Sequence, residues 1–240
     1  MKHSKMNLIV NTRDDDRWSK DLVVVRDVLE RDAYKLNKLS SLITPRVILD
    51  IGGHIGSFSL KAKTVWPNAQ IFAFEPNVKN AHLYQRNVLD NKFTGVKVFN
   101  EAISYEKDKV VLTDHLDATG GGFLCAQDKV DKLGSYFVSR TDVALSTLEE
   151  IMVRENIEYI DLLKLDCEGS EREIIRQMLD ETVNKIGMIV GEYHIEGGYP
   201  KFSELFYSRF KHLELIRTDP SNTRNIGEFL AVPKVLRNKF

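Results

Sequence analysis

The sequence predicts an α/β fold: a doubly wound, mostly parallel sheet with helices on both faces. Three observations carry this. From Val47 onward, short apolar runs alternate with segments of helical period, the order that builds parallel sheets. The first run, VILDI, passes straight into Gly52-Gly53-His54-Ile55-Gly56, a bare-backbone turn opening a helix. Two further β-rich segments, HLELIRTD and EFLAVPK, close the chain as an antiparallel pair.

Each element follows from local chemistry. DLVVVRDVLERDAYKLNKLSSLI mixes a β-branched run with a helix-like period before Pro45, so residues 1–45 form an N-terminal extension, helix or hairpin, packed on the domain. VILDI is a buried strand, and GSFSLKAKTVWP a helix stopped by Pro67. QIFAFEP is a second strand, NVKNAHLYQRNVLDNK a helix opened by Asn77, and VKVFNEAIS a third strand. Residues 105–146 break the rhythm with three consecutive glycines and short β-rich runs; we expect antiparallel strands and loops there, a substrate-side insert. TLEEIMVREN is then a helix and IDLLKLD a fourth strand. SEREIIRQMLDET is a helix with Ser170 as N-cap and Glu173 at the capping-box position. KIGMIVGEYH is a fifth strand, and KFSELFYSRF a helix after Pro200. No repeat or low-complexity tract divides the 240 residues, so a single domain is the economical expectation.

Composition narrows the function. Thirty-four basic residues oppose 35 acidic ones, for a formal net charge of −1; this balance argues against nucleic acid as a partner. No apolar run suits a signal peptide or a membrane span. Two cysteines, Cys125 and Cys167, read as reduced thiols of a cytoplasmic protein. A chain of this size is compatible with a homodimer, and no stripe proves one.

The glycine turn lies where ligands bind such sheets, beyond the carboxyl ends of the strands. Gly52 and Gly56 admit a ligand close to the backbone. The spacing is G-G-x-x-G, not the G-x-G-x-x-G of a dinucleotide site. Asp50, two residues ahead of Gly52, would repel pyrophosphate and suit an ammonium or sulfonium. Glu75 ends the second strand, where an acid takes ribose hydroxyls. Together the acids favour a phosphate-free, cationic adenosine ligand, S-adenosylmethionine. The plainer alternatives are that Asp50 caps the turn, Glu75 is a solvated strand end, His54 is a turn residue, and Cys167 is an inert buried thiol.

LDIGGHIGSFSL, FAFEPN, LLKLDCEGSE and GEYH, in this order, resemble the FkbM family of S-adenosylmethionine-dependent methyltransferases. The resemblance covers roughly Val47 to His194, with K-x-D-x-E-G-x-E (Lys164, Asp166, Glu168, Gly169, Glu171) its most specific part. It implies a Rossmann-like class I methyltransferase fold with a seven-stranded sheet whose last strand is antiparallel, and O-methylation of sugar, glycan or natural-product hydroxyls. It implies cofactor contacts at Asp50, Gly52, Gly53, His54, Gly56, Ser57 and Phe58, at Glu75, Pro76 and Asn77, and at Ala102. His54 departs from the family, where Asn is commoner.

The chemistry needs alignment and a proton acceptor. Asp166, Glu168, Glu192 and His194 fall at the ends of the fourth and fifth strands. Two residues apart, Glu192 and His194 share a strand face. We expect His194 to be the base or proton relay, with Asp166 and Glu192 holding the acceptor hydroxyl or the methionine end of the cofactor. Glu168 opens a helix, where an acid also has a purely structural role, and His194 has the alternative of a satisfied buried histidine. These acids and the imidazole are equally a ligand set for a divalent metal; a metal-free site is preferred, because the two acids of K-x-D-x-E can serve cofactor and helix. Tyr105, Phe123, Tyr136 and Tyr199 are candidates to stack on a sugar.

Three rivals stand beside this reading. An NAD-dependent oxidoreductase would want the missing phosphate-binding spacing. A nucleic-acid methyltransferase acting on base amino groups would want an Asn/Asp-Pro-Pro-aromatic motif where Asp166-Cys167-Glu168-Gly169 stands. A non-catalytic scaffold would need none of these acids together.

Overall fold

A computed structural model describes residues 2–3, 8–13, 21–105, 110–115, 118–126, 137–219 and 225–240. Two short strands, β1 (Lys2–His3) and β2 (Leu8–Ile9), pair antiparallel. Helices α1 (Asp21–Leu29) and α2 (Leu36–Leu39) follow. The open choice for this extension thus resolves to helix. Val25, Val28 and Leu29 are buried while Val23 is exposed, so the 3.6-residue period prevails over the β-branched run.

The central unit alternates β3 (Val47–Ile51), α3 (Ser57–Val65), β4 (Gln70–Phe74), α4 (Val78–Asp90) and β5 (Val96–Phe99). After the insert come α5 (Leu148–Arg154), β11 (Leu162–Leu165), α6 (Glu171–Gln177), α7 (Asp180–Val183), β12 (Ile189–His194), α8 (Gly198–Arg209), β13 (Leu213–Arg217) and β14 (Ile226–Pro233). A 3₁₀ turn, Lys234–Lys239, ends the chain. Seven strands form one sheet in the order β13-β14-β12-β11-β3-β4-β5. Only β14 runs against the rest, antiparallel to both β12 and β13. The strand order reverses beside β3, between the β3–β4 and β3–β11 pairs, and the glycine turn sits at that switch point.

Alternation along the strands sets the two faces. Leu49, Ile51, Leu163, Leu165 and Ile189 face α5, α6 and α8 in one cluster. Ile48, Leu162 and Val190 face α1, α2 and α3 in the other. Asp50, Lys164, Asp166, Glu192 and His194 continue this second face by steps of two. The sequence pattern itself therefore delivers five polar groups to one side of the strand ends.

Several expectations are corrected. The third strand splits at Asn100, whose side-chain amide donates to the carbonyls of Glu75 and Pro76. Beyond it β6 (Glu101–Ile103) leaves the sheet and pairs in parallel with β10 (Ala144–Ser146). In line with the antiparallel strands expected of the insert, β7 (Val110–His115), β8 (Ala118–Ala126) and β9 (Phe137–Asp142) form a three-stranded antiparallel sheet with β7 central. The capping box at Ser170 does not form; Ser170 has helical dihedrals and no side-chain cap bond, and Glu173 pairs with Arg176 at 2.8 Å. The box forms instead at Thr147 and Glu150, opening α5. SEREIIRQMLDET is broken by Met178, extended at ψ 137°, into α6 and α7. α8 begins at Gly198, before Pro200, because a first-turn residue has no intrahelical use for its N–H.

Candidate functional site

The glycine turn is tied down from below. Gly52 and Gly53 both donate their N–H groups to the Phe74 carbonyl at 3.0 Å. Gly52 has φ 78° and Gly56 φ 92°, backbone that disfavours a side chain. A Cβ on Gly52 would overlap the Asp166 carbonyl, and on Gly53 or Gly56 the Tyr84 ring. On the side where a Cβ would point, the close approach these glycines permit is the protein's own.

Asp50 is also placed differently from the expectation of a carboxylate facing a ligand. It is 0% exposed and accepts from the hydroxyls of Tyr84 at 2.9 Å and Ser59 at 2.8 Å. Lys164 Nζ stands 3.5 Å away, since Lys164 is its direct cross-strand neighbour. Asp50 acts on the underside of the turn. Burial lowers the Lys164 ammonium's pKa, and Asp166 and Asp50 more than reverse this, leaving it raised. The same ammonium donates to the Gly52 carbonyl at 2.5 Å and lies 3.7 Å from Asp166. It compensates two acids and the turn at once.

Glu75 is buried at the mouth of the turn and accepts from the N–H of His54 (2.8 Å), the N–H of Asn77 (2.9 Å) and the Asn80 side chain (3.2 Å). Burial raises its pKa despite these donors. A carboxylate has roughly four acceptor sites, so about one remains. That leaves room for a further donor. Asn77 caps α4, accepting from Lys79 and Asn80 N–H groups. Pro76 is half-buried beside it, Phe58 is buried edge-on to Tyr34 with centroids 5.4 Å apart, and Ala102 is buried in the small β6–β10 ladder.

His54 sits at φ 49°, and its Nε2 lies 3.2 Å from Asp21 and 3.3 Å from Arg13. Arg13 in turn grips Asp21 with two side-chain donors and reaches Asn80. Asp21 is fully buried; burial raises its pKa, and His54 and Arg13 reverse this, holding it well below the ordinary carboxylate range. The N-terminal segment is thus part of the turn's wall. Among the described residues, His54 Nδ1 and Ser57 Oγ are buried without a hydrogen-bond partner, as is Asp50 Oδ1 beneath the turn, and α3 has no side-chain cap. Open polar valences at a helix N-terminus fit the carboxylate and ammonium of an amino-acid moiety, the methionine end of the expected cofactor.

The second half of the site gathers at the ends of β11 and β12. Asp166 Oδ2 accepts from the Tyr34 hydroxyl at 2.6 Å. Burial pushes the Asp166 carboxyl up, but Lys164, His194 and Tyr34 leave it below its usual range. Glu171, 1% exposed, accepts the N–H groups of Cys167 (2.6 Å) and Gly169 (3.0 Å) and lies 3.3 Å from His194 Nδ1. It thereby fixes the loop that carries Glu168 at φ 53°. The other ring nitrogen, Nε2, faces Glu168 at 3.5 Å and Glu192 at 3.8 Å. Burial lowers the His194 pKa, while Glu171, Asp166 and Glu168 carry it up to about 9. Glu192 is raised to about 8 by repulsion from Asp166 and by burial. All four predicted catalytic residues are therefore brought together.

Asp166, Glu192 and His194 offer ligand atoms within 4.8 Å of one another, a cation-sized arrangement. Cys167 is a free thiol pushed well above its ordinary pKa by burial, in keeping with an inert role. Tyr105 donates to Glu149 at 2.7 Å and Tyr199 packs on Tyr193, so both hydroxyaryl groups already serve internal contacts. The side chain of Phe123 and all of Tyr136 lie outside the described residues. The site residues that sequence patterns did not single out are Tyr34, Arg13, Asp21 and Tyr84, together with Lys164 and Glu171, which stood in the quoted motif without a role. The apolar-face parity of Leu162 was the available signal for Lys164; Tyr34 gave none.

Comparison with known proteins agrees with this geometry. The family model described as Methyltransferase FkbM domain matches residues 50–217. The chain is 29% identical over 157 residues to Methyltransferase 1 of Beauveria bassiana, covering 60% of this chain and 63% of that protein, a little under two thirds of its length. It is 27% identical over 170 residues to the 31-O-demethyl-FK506 methyltransferase FkbM of Streptomyces tacrolimicus, covering 62% and 65%. Among solved structures, the METTL16 MTase domain superposes with a TM-score of 0.56 at 11% identity, over 96% of this chain and 75% of that one, a likeness of fold alone. With the match running from the acid beneath the glycine turn to the end of β13, this chain belongs to the FkbM methyltransferase-domain family.

Proposed function

We propose that the chain is an S-adenosylmethionine-dependent O-methyltransferase that modifies a hydroxyl of a small-molecule acceptor, a sugar, glycan or natural product. The observation that carries this is the pairing of Glu75 and the open polar valences of the turn with the His194–Glu171 contact at the ends of β11 and β12. The O-methyl specificity named for the Streptomyces relative supports it. Bound S-adenosylmethionine supplies a methyl group on a sulfonium, whose carbon–sulfur bond breaks as the acceptor oxygen bonds the carbon.

The protein's part is orientation and proton transfer. Glu75 takes one ribose hydroxyl; Ser57 and His54 hold the methionine end. Glu171 orients His194 through Nδ1, leaving Nε2 to take the acceptor proton. Asp166 and Glu192 border the hydroxyl, with Asp166 kept ionised by Lys164 and Tyr34. We infer that no metal is required, because Lys164 already supplies the cation nearest Asp166. The free thiol of Cys167 is consistent with a cytoplasmic setting, and among the described residues no helix is long and apolar enough to cross a membrane.

The test has two parts. Calorimetry should give binding of S-adenosylhomocysteine and none of NAD; the reverse result replaces the proposal with an oxidoreductase. Mass spectrometry of neutral and nucleotide-activated sugars should then show a gain of one methylene unit on an acceptor. That gain should slow by about 10²–10⁴-fold in His194→Gln with cofactor still bound. Full transfer by this variant would remove His194 from the mechanism.

A further inference from the structure

A groove of about 570 Å³ lies between α6, α8 and the loop after β12. Two of its lining residues, Arg172 and Ile195, directly follow the paired Glu171 and His194 in the chain. Arg172, Arg176 and Lys201 line it together with two acids, Glu196 and Glu204, and the apolar Ile195 and Leu205. Three basic side chains against two acidic ones give the groove a cationic excess.

The two arginines stand four apart on one face of α6, a like-charge spacing that weakens a helix. Arg172 is exposed and makes no hydrogen bond or ion pair among the described residues. Arg176 pairs with Glu173 and Lys201 with Glu204. Both pairs are exposed, with the Arg176 and Lys201 side chains 56% and 64% accessible, and such pairs exchange readily for a better-matched anion. Guanidinium groups recognise planar and tetrahedral oxyanions through paired N–H donors. Arg176 lies roughly 6 Å along the helix beyond Arg172.

We propose that this groove binds an oxyanion, a phosphoryl or carboxylate group carried by the methyl acceptor, and so selects acidic acceptors over neutral ones. This rests on the methyltransferase reading for the identity of the occupant, while oxyanion capture itself does not. The test uses the full chain, with and without saturating S-adenosylhomocysteine, and three probes followed by ligand-observed NMR: inorganic pyrophosphate, glucuronate and glucose. Pyrophosphate or glucuronate should bind and glucose should not; the stronger of the two names the source of the charge. The double variant Arg172→Ala/Arg176→Ala should lose at least tenfold in oxyanion affinity while its S-adenosylhomocysteine affinity and unfolding midpoint stay unchanged. Absence of oxyanion binding, or equal binding by the variant, overturns the proposal. Failure of S-adenosylhomocysteine to bind the unmodified chain, with oxyanion binding intact, would instead overturn the methyltransferase reading and leave the groove as a separate anion site.

Discussion

The hydroxyl of Tyr34 donates to Asp166 Oδ2 at 2.6 Å, joining residues 132 positions apart. Tyr34 belongs to the N-terminal segment, ahead of the stretch matched by the family model, yet it fixes an acid at the centre of the site. Burial and the Asp166 charge drive the Tyr34 pKa well above its ordinary value, so the hydroxyl remains a donor at any working pH. Tyr34→Phe removes that donor and leaves the acid under-satisfied. We expect a stability loss of about 1–3 kcal/mol in urea denaturation, with weaker S-adenosylhomocysteine binding. An unchanged affinity would show that Asp166 is held adequately by Lys164 alone.

Lys164 is the second strut. It is 3% exposed and stands between Asp50 and Asp166 while bonding the glycine turn. Lys164→Met retains volume and removes the charge, leaving two buried acids uncompensated. A destabilisation of about 3–5 kcal/mol is expected, the cost of breaking a buried pair by deleting one partner. A thermal midpoint within a degree or two of the parent, about what a fraction of a kcal/mol produces, would contradict this.

Much of this arrangement was legible in the sequence because strands alternate. Asp50, Lys164, Asp166, Glu192 and His194 each stand two or four residues from a buried aliphatic on one sheet face, and the parallel order follows from the alternation of elements. What stayed hidden depends on distant contacts. Nothing near Tyr34 or Asp21 announces that they meet Asp166 and His54. Nor does the turn announce that the Asp166 carbonyl packs against Gly52 and the Tyr84 ring, from the next helix but one in the chain, against Gly53 and Gly56. Ser170 and Glu173 matched a capping box, but the buried carboxylate that takes the loop N–H groups is Glu171. Local pattern identifies the groups and their faces; tertiary packing decides which of them compete for one donor.

The pH dependence of stability follows from two raised pKa values. His194 titrates at about 9 in the folded chain against an ordinary 6.5, and Glu192 at about 8 against 4.5. In both cases the folded state binds its proton more tightly. The associated stability is fully present below the unfolded value and disappears as pH rises through the folded one. Unfolding free energy should therefore fall between about pH 5 and 9, beyond the trend set by other groups. The double variant Glu192→Gln/His194→Gln should flatten that decline. A profile equally steep in the variant would assign the slope elsewhere.

The same protonation governs rate. As the proposed base, His194 must be neutral to accept a proton, so kcat/KM should rise with pH toward a limb near 9, the free-enzyme value. Glu171→Gln removes a charge that helps raise that pKa, and the limb should move to lower pH as transfer slows. A variant that merely loosened the loop would lose rate without moving the limb.

Metal dependence is the sharpest discriminator of mechanism. Asp166, Glu192 and His194 are close enough for their ligand atoms to share one ion, and a bound cation would acidify the acceptor hydroxyl. The competing geometry is already in place. Tyr34 occupies one oxygen of Asp166, Lys164 lies 3.7 Å from it, and His194 is oriented by Glu171. Carboxylate–imidazole pairs of this kind also orient metal-bound histidines, so the His194–Glu171 contact alone does not separate the cases. Lys164 does, because its ammonium would repel a divalent cation placed beside Asp166. We therefore expect turnover to survive exhaustive chelation and desalting, with less than a twofold change on adding magnesium or manganese. Activity lost to chelation and restored only by added metal would assign activation of the acceptor hydroxyl to the ion.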